Sequence, residues 1–353
     1  MRAPRRTGLV VVAFTLLVAL TVILGFARGG NGDEPPPSPT LTPTTQPQPN
    51  ERPALRAFEG DSWWNTPVPY DAPLDPYGAD ILEFLSTGEE SGDGCLKLAG
   101  AGSSPWGQPF YWSTLSDPTY DIQGIQSPER PPELDQLRIP SDASPGDNND
   151  GNISIFDVDK GYVVALTDAS YDESNNEWSA SGGSVTYLDS NGLYARTGES
   201  DDPRNTGTHR GNNGAVLAAR WDMVEAGAIN HVLKVAVGPE VSERFVFPMV
   251  GSDGDYSGDD PAVPPQGLRL RIKPAVDLDE LNLHPQALVI AETLQRYGFY
   301  IGDSGGTTAL KLENTEAEGR GQLWQLTSDD LCGLPFTPEY WDVIAEGYDP
   351  SGL

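Results

Sequence analysis

The chain has 353 residues, with 52 Asp+Glu against 22 Lys+Arg and a formal net charge of −30. So acidic a surface repels a phosphate backbone, which excludes nucleic acid as a natural partner. The acidity is that of a solvated surface adapted to high salt, with calcium binding or a basic partner as the other readings.

The first predicted element is the run "GLVVVAFTLLVALTVILGF", residues 8–26, which follows Arg2, Arg5 and Arg6. As a helix it would rise about 28 Å, enough to cross a bilayer. The basic flank keeps its N-terminal side in the cytoplasm, so the rest of the chain is expected outside the cell. Residues 1–28 are read as a signal anchor, with a cleaved signal peptide as the alternative because Gly25 and Ala27 are small. Arg5-Arg6 adds a faint twin-arginine signature. Residues 29–55 are rich in Pro, Thr, Gln and Gly, carry too little apolar surface to fold, and are expected to form a partly extended stalk.

Residues 56–353 contain no second linker of that composition and read as one extracellular domain. Its glycines and prolines punctuate short apolar runs, which predicts a mainly β fold, a jelly-roll-like β-sandwich with a few peripheral helices. Strands are expected at 152–158, 161–169, 181–188, 229–237, 244–250, 267–273 and 307–313. Helices are expected after Asp75-Pro76 through Leu85, from Pro285 to a stop at Gly298, and from Thr337-Pro338 through Ala345. Cys95 and Cys332 are the only cysteines and, in an oxidising compartment, are expected to pair. A monomer is expected, touching the membrane only through its N-terminal helix.

Candidate site residues come from several stretches. In the strand 229–237, Ile229, His231, Leu233, Val235 and Val237 share one face, and Asn230, Val232, Lys234 and Ala236 the other. His231 is therefore either a hydrogen-bonded core imidazole or a general acid or base at the floor of a cleft. In the strand 267–273, Arg269, Arg271 and Lys273 point the same way. They are surface ion-pair partners or an anion-attracting floor for an acidic sugar. "THRGNNG", 208–214, offers His209, Arg210 and Asn212 on a ligand-contacting loop. Asp222 and Glu225 lie three apart in a predicted helical turn, where Asp222 either caps the turn or assists catalysis. Asp147, Asp150, Asp253 and Asp255 supply the hard oxygens calcium prefers, although neither loop has the EF-hand pattern. No cofactor is required by any motif, and calcium is the one cofactor these loops suggest. "SWWNTPV" and "PWGQPFYW" place Trp63, Trp64 and Trp106 in loops or edges, where flat rings close a core or stack on sugar. No hydrolase elbow, zinc-protease motif, Walker loop, dinucleotide fingerprint or C-x-x-C pair is present.

The segments "SWWNTPV", "RWDMVEAGAINHVLKVAV", "PPQGLRLRIK" and "RYGFYIGDSGG" together resemble a family of exported, mostly uncharacterised bacterial proteins. The likeness covers nearly all of residues 57–346 and implies one exported domain, with no mechanism attached. It departs at "FVFPMVGSDGD", where the family pattern has a histidine-bearing aromatic segment. The sequence reading as a whole points to an extracellular glycoside hydrolase or polysaccharide lyase acting on a cell-wall or environmental polysaccharide. In that reading His231 moves a proton, Asp222 assists, Arg269 and Arg271 hold an acidic sugar or oxyanion, and the loop tryptophans stack on the chain. The alternative is a surface-displayed glycan-binding or structural protein without turnover.

Overall fold

The computed structural model describes residues 55–352 apart from 88–93, 103, 127–129, 196, 199–200, 208–209, 212–213 and 239–240. The expected anchor, nearly all of the stalk, and His209 and Asn212 lie outside the described residues. Among the described residues no helix is long and apolar enough to cross a membrane.

Ten strands build two sheets: β1 (Lys97–Ala99), β2 (Phe110–Ser113), β3 (Ile153–Asp157), β4 (Tyr162–Thr167), β5 (Gly182–Tyr187), β6 (Leu233–Val237), β7 (Arg269–Ile272), β8 (Phe299–Ser304), β9 (Ala309–Lys311) and β10 (Trp341–Val343). The larger sheet has the order β1-β9-β6-β8-β7-β10 and the smaller β2-β3-β4-β5. Pairing is mixed: β1 with β9, β6 with β8 and β2 with β3 are parallel, and the remaining ladders are antiparallel. The helices are α1 (Gly78–Thr87), α2 (Trp221–Glu225) and α3 (Pro285–Arg296). The protein is thus mainly β, a sandwich of two sheets with few helices.

Period-two alternation decides which face packs where. On β6, Leu233, Val235 and Val237 join Phe299 and Ile301 of β8 in a core shared with Ile81, Leu82 and Leu85 of α1 and Ile290 and Leu294 of α3. The opposite face of the same sheet turns to the smaller sheet. There Tyr300 of β8 and Val232 pack with Phe110, Phe156 and Val163 around Trp63 and Trp64. The smaller sheet covers its far side with a third cluster that includes Ile153, Ile155, Val164 and Val185. β3 is buried on both faces, so its five residues are all buried, the polar Ser154 and Asp157 included.

Most elements follow the expected pattern, and three do not. α3 begins at Pro285 with the His284 side chain accepting from the Gln286 backbone N–H, and Gly298 stops it in the left-handed region. The expected helix at 337–345 is a single turn followed by strand β10. Trp341 and Val343 lie two apart, both buried in the same core, which is strand spacing. The expected strand at 229–237 starts only at Leu233, because the Val232 N–H donates to Trp64 O at 2.8 Å instead of to a neighbouring strand. The expected strand at 244–250 stops at Phe245; Pro248 beyond it has no N–H to extend a ladder. Cys95 and Cys332 form a disulfide across a sequence separation of 237, tying β1 to the C-terminal segment.

Candidate functional site

Between the two sheets lies an open cleft of about 1200 Å³. The larger sheet contributes Lys97, Lys234, Asp303 and Lys311, and the smaller contributes the backbone and hydroxyls of Thr167 and Gly182–Ser184. Loops add Trp106, Asp150, Arg210, Asp253 and Asp329. Only five lysines occur in the chain, at 97, 160, 234, 273 and 311. Three of them meet here.

The floor is an ion-pair chain. Lys234 leaves β6 on the face opposite the α1/α3 core, and its Nζ donates to Asp303 Oδ2 at 2.7 Å. Arg210 donates through one guanidinium nitrogen both to Asp303 and, at 2.8 Å, to Asp253 Oδ2. Burial would raise the Asp303 carboxyl, but Lys234 and Arg210 outweigh it and hold the group well below the usual carboxylate range. Burial pushes Lys234 below the ordinary lysine range, with Asp303 opposing the shift. Two further pairs involve more exposed carboxylates. Lys97 meets Asp329 at 3.0 Å and Lys311 meets Asp150 at 3.6 Å, and these carboxylates are 63% and 46% exposed. Trp106, 43% exposed, stands at the rim.

Several expected site residues belong elsewhere. His231 is buried, does not line the cleft, and donates from Nδ1 to Val232 O at 2.8 Å. Desolvation lowers its pKa to about 4, with the charge of Arg220 adding to the shift, so the ring is a neutral core imidazole. The acid-base role is corrected accordingly: with its ring in the core, His231 cannot reach a ligand. Asp222 receives Arg220 Nε at 3.0 Å and lies outside the cleft as well.

The arginine pair is corrected in the same way. Arg269 and Arg271 are 3% and 2% exposed. Arg269 donates to Tyr297 O at 2.8 Å and Thr66 O at 2.9 Å, with its guanidinium 4.6 Å from the Trp63 ring centroid. Burial, and then the charge of Arg271, bring its pKa down to about 9. Arg271 donates to Pro69 O at 2.6 Å and Tyr70 O at 3.1 Å and pairs with Asp342 at 3.2 Å. Arg220 holds Leu55 O at 3.0 Å in like manner. These buried guanidiniums satisfy backbone carbonyls of the leading segment 55–70, together with Tyr297 O. Trp63 and Trp64, each 1% exposed, pack edge-on against Tyr300 in the inter-sheet core, so they are corrected from sugar platforms to core residues.

Four expected residues do reach the cleft: Trp106, Arg210, Asp150 and Asp253. The last two were grouped with Asp147 and Asp255 as calcium ligands, yet each is held by a cation. Among the described residues no three His, Cys, Asp or Glu side chains form a group that could hold a metal ion. Sequence reasoning missed Lys97, Lys234, Lys311 and Asp303. The available signal was the scarcity of lysine, together with the alternation that puts Lys234 on the face opposite His231. Compared with known proteins, the chain matches no family model, no curated protein and no solved structure.

Proposed function

We propose that this protein is a carbohydrate-active protein displayed outside the cell, and that the inter-sheet cleft takes a segment of a polysaccharide. The observation that carries this reading is the cleft itself, about 1200 Å³ of open space lined by charged, hydroxyl and backbone groups and edged by an exposed tryptophan. Sugars need that combination. Fixed donors and acceptors meet ring hydroxyls, and a flat aromatic face covers the apolar side of a pyranose. The apolar run at 8–26, the Pro-rich segment after it and the Cys95–Cys332 disulfide support the exported setting.

The test is a binding survey of the full-length protein against neutral and acidic polysaccharides, by calorimetry. Trp106→Ala should weaken binding about three- to tenfold, as loss of one stacking contact does. No binding to any polysaccharide, or binding that Trp106→Ala leaves untouched, contradicts the reading. A second reading, binding without turnover, is favoured by one observation: Asp150, Asp253, Asp303 and Asp329 each meet a cation. A glycosidase acid is a carboxyl group that meets no such cation.

A further inference from the structure

We propose that Lys234 is the proton-transfer group of a β-elimination that cuts a uronate-containing polysaccharide in this cleft. This inference rests on the saccharide reading above and adds the substrate class and the reacting residue.

The fold gives this lysine a built route to the cleft. Its stem passes between two glycines. A Cβ at Gly214 would lie 2.2 Å from Lys234 Cδ, and one at Gly302 would lie 2.9 Å from its Cγ. At either place a side chain would collide with the stem, so both positions lack one where the lysine must pass. The ammonium then arrives beside Asp303, itself steadied by Arg210. The charged groups acting on it are Asp303, Arg210 and Lys311. Burial disfavours its cationic form, the circumstance in which lysine serves as a base.

The rim supplies the other half of the chemistry. Lys97 and Lys311 hold largely exposed carboxylates, pairs that contribute little and can be exchanged. A carboxylate of a uronate residue can replace Asp329 or Asp150 and keep the lysine paired, while the displaced aspartate is left to water. A cation on that carboxylate also stabilises the charge that develops when the neighbouring carbon loses a proton.

The step balances without an added reactant. The neutral amine of Lys234 takes the C5 proton next to the uronate carboxylate. The released electron pair forms the C4=C5 double bond as the C4–O bond to the leaving sugar breaks. The leaving oxygen takes the proton from the Lys234 ammonium, which returns the amine to its starting form. The products are one sugar with a free hydroxyl and one unsaturated uronate.

The experiment incubates the full-length protein in detergent with polygalacturonate and with alginate, using dextran as the neutral control. Reducing ends, the ultraviolet absorbance of unsaturated ends, and calorimetric affinity are measured together. The expected result on one or both polyuronates is equal yields of reducing and unsaturated ends, with a rate that rises with pH as Lys234 loses its proton. Lys234→Arg should cut turnover by about 100-fold or more. Its affinity should stay within about threefold, because Lys97 and Lys311, which hold the uronate carboxylate, are left in place. Gly214→Ala, which displaces the lysine without removing it, should lower kcat more than it changes KM, and it carries the test if Lys234→Arg does not fold. Reducing ends without unsaturated ends, polyuronate binding without product, or unchanged turnover in both variants overturns the elimination and leaves the saccharide reading standing. Absence of binding to every polysaccharide overturns both.

Discussion

Two cationic regions lie on the larger sheet and behave in opposite ways. Arg269 and Arg271 on β7 are buried, and their donors end on the carbonyls of Thr66, Val68, Pro69 and Tyr70. Lys234 on β6 and Lys311 on β9 rise into an open cleft, where their partners are side chains of other loops and strands. The difference lies in what the cation replaces. A guanidinium has five donors in a planar fork and can satisfy several backbone carbonyls at once, so it substitutes for a missing strand partner. An ammonium on a flexible stem is a point charge and keeps its choice of partner. Cations on a strand face therefore become structure or site according to whether backbone or space lies opposite.

The strongest way to break this comparison is to remove an arginine. Arg271→Ala leaves Asp342 buried without its main partner and strips the donors from Val68, Pro69 and Tyr70. A loss of about 3–5 kcal/mol is expected, read as a lowered midpoint of urea unfolding. If the midpoint barely moves, the clamp is not what holds the leading segment.

A second prediction concerns pH. The folded pKa of His231, about 4, lies below its ordinary value of 6.5. Its contribution to stability is thus fully present above pH 6.5 and is lost as pH falls toward 4, because the unfolded chain takes up the proton first. The loss over that window is on the order of 3 kcal/mol. His231→Phe should flatten the slope of unfolding free energy in this range relative to the wild type. An unchanged slope would place the imidazole in water and reopen a catalytic role.

The smallest stability effect should come from the cleft rim. Lys311→Ala removes a loose pair with a half-exposed Asp150, and less than about 1 kcal/mol should be lost. The same variant should weaken polyuronate binding about tenfold, since a hydrogen bond to a charged group is at stake. A large stability loss with unchanged binding would make Lys311 a structural residue like the arginines.

The sheets were legible in the sequence because their faces are simple. The alternation at 161–169 and 181–188 matches β4 and β5, and the Pro285 start and Gly298 stop of α3 were read correctly, since proline and glycine act locally. Residues 337–345 misled because Thr337-Pro338 opens one turn, whereas the core contacts of Trp341 and Val343 decide the rest. Tertiary packing overrides a local start signal. The site was half legible for a related reason. Alternation divided 233–237 into two faces correctly, but pattern alone does not say which face meets a cleft and which meets helices. The face of Leu233, Val235 and Val237 met α1 and α3, and the face of Lys234 and Ala236 met the cleft. Arg210 and Asp303 lie 93 residues apart, so their pairing could not be read from spacing.

The central claim, that the saccharide sits over the lysines of the cleft, can be measured directly because lysine is so scarce. Reductive methylation of the full-length protein, with and without saturating polygalacturonate or alginate, can be quantified at each of the five lysines by peptide mass spectrometry. Protection of Lys97 and Lys311, with Lys160 and Lys273 labelled equally in both samples, is the predicted result. Equal labelling of all five with the saccharide bound, or protection confined to Lys160 or Lys273, would contradict it.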